Sequence, residues 1–240
     1  RYMAIAEQMG AVLEKTATSV NIKERLDFSC AIFDKHAELI ANAPHIPVHL
    51  GSMSDSVKSV VDMFKGNISE GDVFVLNSPY KGGTHLPDIT VVKPIFYQQK
   101  IAFFTAARGH HADIGGITPG SMPPMSQSIE QEGVIIEPMK LVVSAVFQTE
   151  AISELLMACQ YPSRNVLQNI ADLKAQVAAC EAGQSAILTL ISQLGFPVVS
   201  VYMQYVKDYA EMSVRRLLAA LKDGHFTTYL DDGAKIQVLL

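Results

Sequence analysis

The chain has 240 residues, of which 49% are apolar and only 18% charged, with a net charge of −5. That length suffices for one large domain or two small ones with a real core. A pI near 5.8 argues against a nucleic-acid partner, which needs a basic face, and no run approaches the roughly 20 apolar residues of a membrane span.

The mean hydropathy of +0.20 is high for a monomer, so part of the surface is expected to lie against another chain or further sequence. No signal peptide opens the chain. Three cysteines, odd in number and without CxxC spacing, suit a reducing compartment and a cytoplasmic protein without a disulfide framework. The chain opens on Arg1 and closes on the apolar run Lys235–Leu240, and it reads as a piece of a longer protein.

Helical spacing of Ile5, Met9, Val12 and Leu13 predicts a helix from Tyr2 to about Thr18. Asn21–Asp27 reads as a polar turn. Alternation of Leu26, Phe28, Cys30 and Ile32 with Asp27, Ser29, Ala31 and Phe33 predicts a strand, followed by a short one ending near Ile40. Asn42–His49, punctuated by Pro44 and Pro47, is expected to be an extended loop. A helix capped by Ser52 or Ser54 then carries Val57, Val60, Val61 and Phe64, and stops at Gly66. A strand over Asp72–Asn77 delivers the chain to Ser78-Pro-Tyr-Lys-Gly-Gly-Thr-His85-Leu-Pro-Asp88.

Two runs rich in Ile, Val, Phe and Thr follow, Ile89–Tyr97 and Lys100–Ala107, separated only by Gln98-Gln99. They predict a β-hairpin, although Gln-Gln is not a favoured two-residue turn. If it closes at Tyr97/Lys100, Asp88 faces Gly109 and His110 faces Pro87. Cross-strand neighbours sit roughly 4.5–5.5 Å apart, so His85, Asp88 and His110 converge at the open end of the hairpin. His85 and Asp88 share one side only if the chain bends, and Gly82, Gly83 and Pro87 supply the means. Two imidazoles and a carboxylate suit Mn, Fe or Zn better than Ca or Mg. The alternative is a polar turn whose His and Asp bond the loop backbone, because HxxD is a weak motif.

Residues 109–140 form a long Gly/Pro/Met/Ser segment with little periodicity, either a functional lid or irregular packing. A short helix is expected at Ile152–Ala158. Val166, Ile170, Leu173 and Val177 at 4-3-4 spacing place a long helix over Asn165–Leu194, with a seam suited to a second over Val199–Lys222. The end reads as strand, turn, strand. The expected fold class is α+β: a β-rich front part with hairpins (1–148), then a long antiparallel helical hairpin opening residues 149–240.

Other residues are candidates with bland alternatives. His45 and His49 could add acid/base groups or simply bond the loop backbone. Lys81 and Arg108 could hold a substrate anion or be solvated strand-end cations. Gly82-Gly83 and Gly115-Gly116 could present N–H groups to an oxyanion or serve as turns. Nothing in spacing links Glu24 or Asp27 to His85, and the cysteines read as packing.

The segments NIKERLDFSCAIFD (Asn21–Asp34), HIPVHLGSM (His45–Met53), GDVFVLNSPYKGGTHLPDITVVKPIF (Gly71–Phe96) and RGHHADIGGITPGSMPP (Arg108–Pro124) resemble the hydantoinase B/5-oxoprolinase family. Related members include the acetone and acetophenone carboxylases. The resemblance implies a B-type subunit that completes ring opening or carboxylation of a substrate phosphorylated by an ATP-using A-type partner. It implies a divalent metal (Mn, Zn or Fe) held by Glu24, His85, Asp88 and His110. His45, His49 and His111 match its motifs as candidate catalytic groups, with Lys81, Arg108, Gly82 and Gly83 about the substrate. A small cyclic amide is the expected substrate, an acetone-type carboxylase subunit or a non-catalytic partner-binding scaffold the alternatives. No GxxxxGK[ST] loop occurs, so ATP is not expected to bind here.

Overall fold

The computed structural model describes residues 1–239. Two helices, α1 (Tyr2–Thr16) and α2 (Val20–Lys23), lead into strands β1 (Phe28–Asp34) and β2 (Leu39–Asn42). Helix α3 (Pro47–Met63) precedes β3 (Val73–Leu76), β4 (Asp88–Tyr97), β5 (Lys100–His110), β6 (Met139–Val143) and β7 (Val146–Phe147). Helices α4 (Thr149–Met157), α5 (Val166–Leu194) and α6 (Phe196–Ala220) follow, then β8 (His225–Tyr229) and β9 (Lys235–Leu239). The fold is α+β, with the antiparallel sheet in front and the long helices behind.

The first seven strands form one antiparallel sheet in the order β2-β1-β5-β4-β3-β6-β7. Both faces of its central strands are covered, so β4 and β5 are buried at nearly every position rather than at every second one. On one face Phe33, Phe74, Val92, Phe104 and Ala106 pack against Met53, Val57 and Val60 of α3. On the other, α5 lies across β4 and β5 and packs along α1. The seam expected between α5 and the next helix is thus taken by α1 and the sheet.

The β4–β5 hairpin closes as expected at Tyr97/Lys100, but a bulge between Ile95 and Phe96 shifts the register beyond it. Asp88 consequently pairs with His110, not Gly109. A one-residue slip exchanges which residues oppose each other, and here it brings the two polar residues side by side. The turn itself has Gln98 at φ 50° and Gln99 at φ 63°, the double left-handed geometry that right-twisted strands demand.

Helix α3 begins earlier than expected. Pro47 occupies its first turn, where a missing N–H costs nothing, so His49 is helical instead of lying in a loop. The polar turn expected at Asn21–Asp27 contains α2, and β1 starts at Phe28, after Leu26 at φ 56°. Arg1–Val199 form one compact unit and Ser200–Leu240 a second, so the change of character near residue 148 is a change of element type inside the first. The second unit comprises most of α6 and the antiparallel β8–β9 pair. Among the described residues no single helix is long and apolar enough to cross a membrane.

Asp72, at the entry to β3, ties this edge of the sheet together. It accepts from the backbone N–H of Ser69 at 2.9 Å and of Ser144 at 3.1 Å, and pairs with Lys140 Nζ at 2.8 Å. Burial works to raise its pKa, but Lys140 and the two backbone donors outweigh it and hold the carboxylate below its usual range. A lowered folded-state pKa contributes stability above the unfolded value that is lost as pH falls through the folded one. Asp72→Asn should therefore cost about 1–3 kcal/mol near neutral pH. In urea titrations at a series of pH values, that difference should shrink as the medium falls below the usual carboxylate range.

Candidate metal centre

Strand alternation decides which polar residues meet. Asp88 and Thr90 on β4, Arg108 and His110 on β5, and Ser29 on β1 share the face covered by α3, as does Asp27 just before β1. Helix α3 brings His49, Ser52 and Ser56 down onto them. A β-turn closed by Asp88 N–H to His85 C=O at 3.0 Å supplies the bend that His85 needs. The buried Leu86 anchors that turn.

Asp88 is the centre of this group, with a side chain only 1% exposed. Its Oδ2 accepts from Thr84 Oγ1 at 2.5 Å and lies 2.9 Å from His85 Nδ1 and 3.1 Å from His49 Nε2. Its Oδ1 is buried without a hydrogen-bond partner, although His110 Nδ1 approaches to 3.2 Å. Burial works to raise the Asp88 pKa, but contacts with His110, His49 and His85 overcome it and hold the carboxyl ionised, well below the usual range. The hydrogen bond to Asp88 in turn raises the pKa of His85.

Ligand atoms of His85, Asp88 and His110 all lie within 4.8 Å of one another. A carboxylate with one orphaned oxygen, grouped with two imidazoles, fits a borderline divalent cation, which would satisfy the lone pairs that burial leaves bare. The three line an open cleft of about 530 Å³ whose walls also include Arg25, Ile46, Val48, Thr84 and Met122.

Other candidates fall elsewhere. Glu24 is exposed where α2 ends and is not in the ligand group. Asp27 lines the cleft instead, its Oδ2 3.7 Å from His110 Nδ1. The β1–β5 pairing, which seats Phe28 opposite Gly109 and so carries Asp27 to His110, was the signal that could have found it. His49 belongs to the site, between Asp88 and Ser29 Oγ at 3.0 Å. His45 does not. Its Nδ1 accepts from Cys30 N–H at 3.1 Å, its ring tilts against Phe28, and it fits only because Gly10 has no Cβ.

His111, one residue past His110, points through the sheet to α5. There it is fully buried between Asn169 Nδ2 at 3.1 Å and Gln176 Oε1 at 3.0 Å. That environment, burial first, lowers its pKa and keeps it neutral. Arg108 is wholly buried rather than solvated. Its guanidinium donates to Thr90 Oγ1, Ser52 Oγ, Ser56 Oγ and the Gly82 carbonyl at 2.5–2.9 Å, and burial draws its pKa down to about 10.

Gly82 and Gly83 are close-packing positions. A Cβ on the first would come 2.2 Å from Ser56 N, and one on the second 2.2 Å from Asn77 O. Three of the four N–H groups offered for an oxyanion are engaged elsewhere: Gly83 bonds Ser78, Gly115 bonds Asp113 and Gly116 bonds Tyr161. Lys81 is half-buried on the 3-10 turn Pro79–Lys81 and does not line the cleft.

The family model for hydantoinase B/oxoprolinase matches residues 1–240. The chain belongs to that family. It is 47% identical to 5-oxoprolinase 1 of Arabidopsis thaliana over 100% of its own length and 21% of the relative's. It is 34% identical to the caprolactamase subunit beta of Pseudomonas jessenii, covering 94% of this chain and 38% of that one. The crystal structure of the ATP-dependent caprolactamase from Pseudomonas jessenii superposes with a TM-score of 0.87 at 32% identity, covering 98% of this chain and 42% of that chain. An acetone carboxylase structure shares the fold, with a TM-score of 0.82 at 18% identity over 94% of this chain and 30% of that one. The chain therefore spans about a fifth of the 5-oxoprolinase it resembles and under half of the caprolactamase subunit.

Two adjacent histidines separate the roles of the two faces. His110→Ala should abolish stoichiometric Mn²⁺ or Zn²⁺ binding by calorimetry with little change in melting temperature. His111→Ala should retain metal binding and lose about 1–3 kcal/mol of stability. Arg108→Met, which removes the bonds to Thr90, Ser52, Ser56 and the Gly82 carbonyl, should cost about 2–4 kcal/mol in urea unfolding.

Proposed function

We propose that this chain is the metal-bearing part of a B-type subunit of an ATP-dependent cyclic-amide hydrolase of the 5-oxoprolinase/N-methylhydantoinase type. It completes the ring opening of an amide whose oxygen an A-type partner subunit has phosphorylated with ATP. The observation that carries this reading is the orphaned Asp88 Oδ1, buried near His110 in a His85–Asp88–His110 group that lines an open cleft. Identity of 47% to a 5-oxoprolinase favours the cyclic-amide class, whereas the 18% likeness to acetone carboxylase carries the fold alone.

His85, Asp88 and His110 would hold the ion; Glu24, the fourth ligand that the family resemblance implies, is exposed outside that group, next to the cleft-lining Arg25. A divalent cation there supplies Lewis acidity and an acidified water. The protein's own part is positioning. Thr84 and His49 engage Asp88 Oδ2, so its other oxygen remains free. Ser29 fixes the His49 ring from behind, leaving that imidazole an orienting role. Arg108 holds the Gly82 carbonyl, and with it the loop that carries His85. Phosphorylation converts a poor amide electrophile into one with a good leaving group, so the step left to this subunit is delivery of water to a bound, oriented ring.

Phosphate release measured with the A-type partner and ATP should be stimulated by 5-oxoproline or a hydantoin and not by acetone with bicarbonate. His85→Ala and metal-stripped protein should lose turnover by about 100-fold or more. Full turnover by either would rule the reading out.

A further inference from the structure

The expected anion-holding residues are not in place to touch a ligand. Arg108 has its guanidinium spent on α3 and Gly82, and Lys81 does not line the cleft. Asp27 and Asp88, the carboxylates of the cleft lining, would repel a ring bearing an oxyanion, and neither Lys81 nor Arg108 offsets them, unless another side-chain cation faces the cleft.

One does. Among the described residues lining the cleft, Arg25 is the one with a permanent positive charge. It is exposed, and no ion pair or hydrogen bond engages its guanidinium among the described residues, not even with its neighbours Glu24 and Asp27. Leu26 stands in the left-handed region at φ 56° with its side chain 46% exposed, a conformation that a leucine adopts only under constraint. That reversal lets Arg25 and Asp27, on either side of it, both line the cleft. The backbone around it is fixed by Arg25 N–H to Val20 C=O at 3.1 Å and Asp27 N–H to Asn21 C=O at 2.9 Å. The arginine is thus carried on a tied turn.

We propose that Arg25 is the oxyanion-binding and specificity residue of the cleft. It grips either a carboxylate on the cyclic amide or the phosphoryl group added to the amide oxygen, while Ile46, Val48 and Met122 flank the ring carbons. The inference rests on the hydrolase reading for its substrate and deepens it by naming an anionic one. A planar, always-charged guanidinium suits a two-oxygen anion better than an ammonium does. Its charge, in the same cleft lining as Asp27 and Asp88, offsets their repulsion of an incoming anion.

The test uses full-length protein loaded with Mn²⁺, as wild type, Arg25→Lys and Arg25→Ala. Calorimetry measures binding of 5-oxoproline, of inorganic phosphate and of neutral 2-pyrrolidinone. Arg25→Ala should weaken oxyanion binding about tenfold or more, with partial recovery in Arg25→Lys. Binding of 2-pyrrolidinone, metal stoichiometry and melting temperature should be unchanged. Loss confined to 5-oxoproline assigns the carboxylate, and loss confined to phosphate assigns the phosphoryl group. Loss of both assigns a shared oxyanion subsite. Oxyanion binding that is absent in wild type, indifferent to Arg25, or lost together with 2-pyrrolidinone binding overturns the proposal. Turnover with the A-type partner, run in parallel, separates the two readings. Arg25-dependent anion binding without amide hydrolysis sinks the hydrolase and leaves the subsite. Hydrolysis whose KM and anion binding ignore Arg25 sinks the subsite alone.

Discussion

The alternation of side chains along β5 is the constraint on which this molecule is built. With both faces of the sheet covered, every polar residue on a central strand must find its partners within one layer. Arg108 and His110 face α3, where serines, a glycine carbonyl and Asp88 receive them. His111 faces α5, where Asn169 and Gln176 do. Gln176 also donates to the Ile89 and Ala107 carbonyls, while Gly109 makes room for Ile22, whose Cδ1 a Cβ there would meet at 2.9 Å. The chain can place two histidines next to each other and give them unrelated tasks, because the pleat sends them to opposite sides.

On the α3 side the electrostatics are set by what is withheld from Asp88. Burying a carboxylate is costly unless donors or charges compensate. Thr84, His49 and His85 gather at one oxygen, and the other is left with an imidazole nearby but no hydrogen bond. The buried Arg108 adds a favourable field without contact, since Asp88 is the group that works to keep it protonated. A structure optimised for stability alone would satisfy both oxygens. This asymmetry leaves one carboxylate oxygen open to a further partner.

Much of this was legible in the residues. The hairpin, the convergence of His85, Asp88 and His110, and the need for a bend after Gly82-Gly83 all follow from alternation, apolar runs and turn chemistry. The register did not, because a bulge between Ile95 and Phe96 has no mark in the local sequence. Asp27 and His49 were obscure for a related reason: their place depends on β1 pairing with β5 across some seventy to eighty residues, and on α3 starting at Pro47 instead of near Ser52. Arg108 looked like a strand-end cation because nothing nearby in the chain announces Ser52, Ser56 and Gly82 as its partners. Local propensity shows which elements exist; which buried polar atoms they bring together depends on tertiary pairing.

The long segment after β5 joins the two layers. Its base is pinned by Asp113, which accepts from Gly115, Gly120 and Arg164. Asn169, the residue that orients His111, also donates to the Asp113 carbonyl. Ser121, in the left-handed region at φ 56°, donates to Gly115 and accepts from Ile114, and the next residue, Met122, lines the cleft. A segment with so many of its polar groups satisfied is tied irregular structure rather than a free lid. Because one asparagine of α5 serves both the His110–His111 strand end and this segment, the helix layer behind the sheet helps fix a cleft it never touches. Preorganisation of that kind reaches a site from the far side of a sheet, through packing and hydrogen bonds, without adding a residue to its lining.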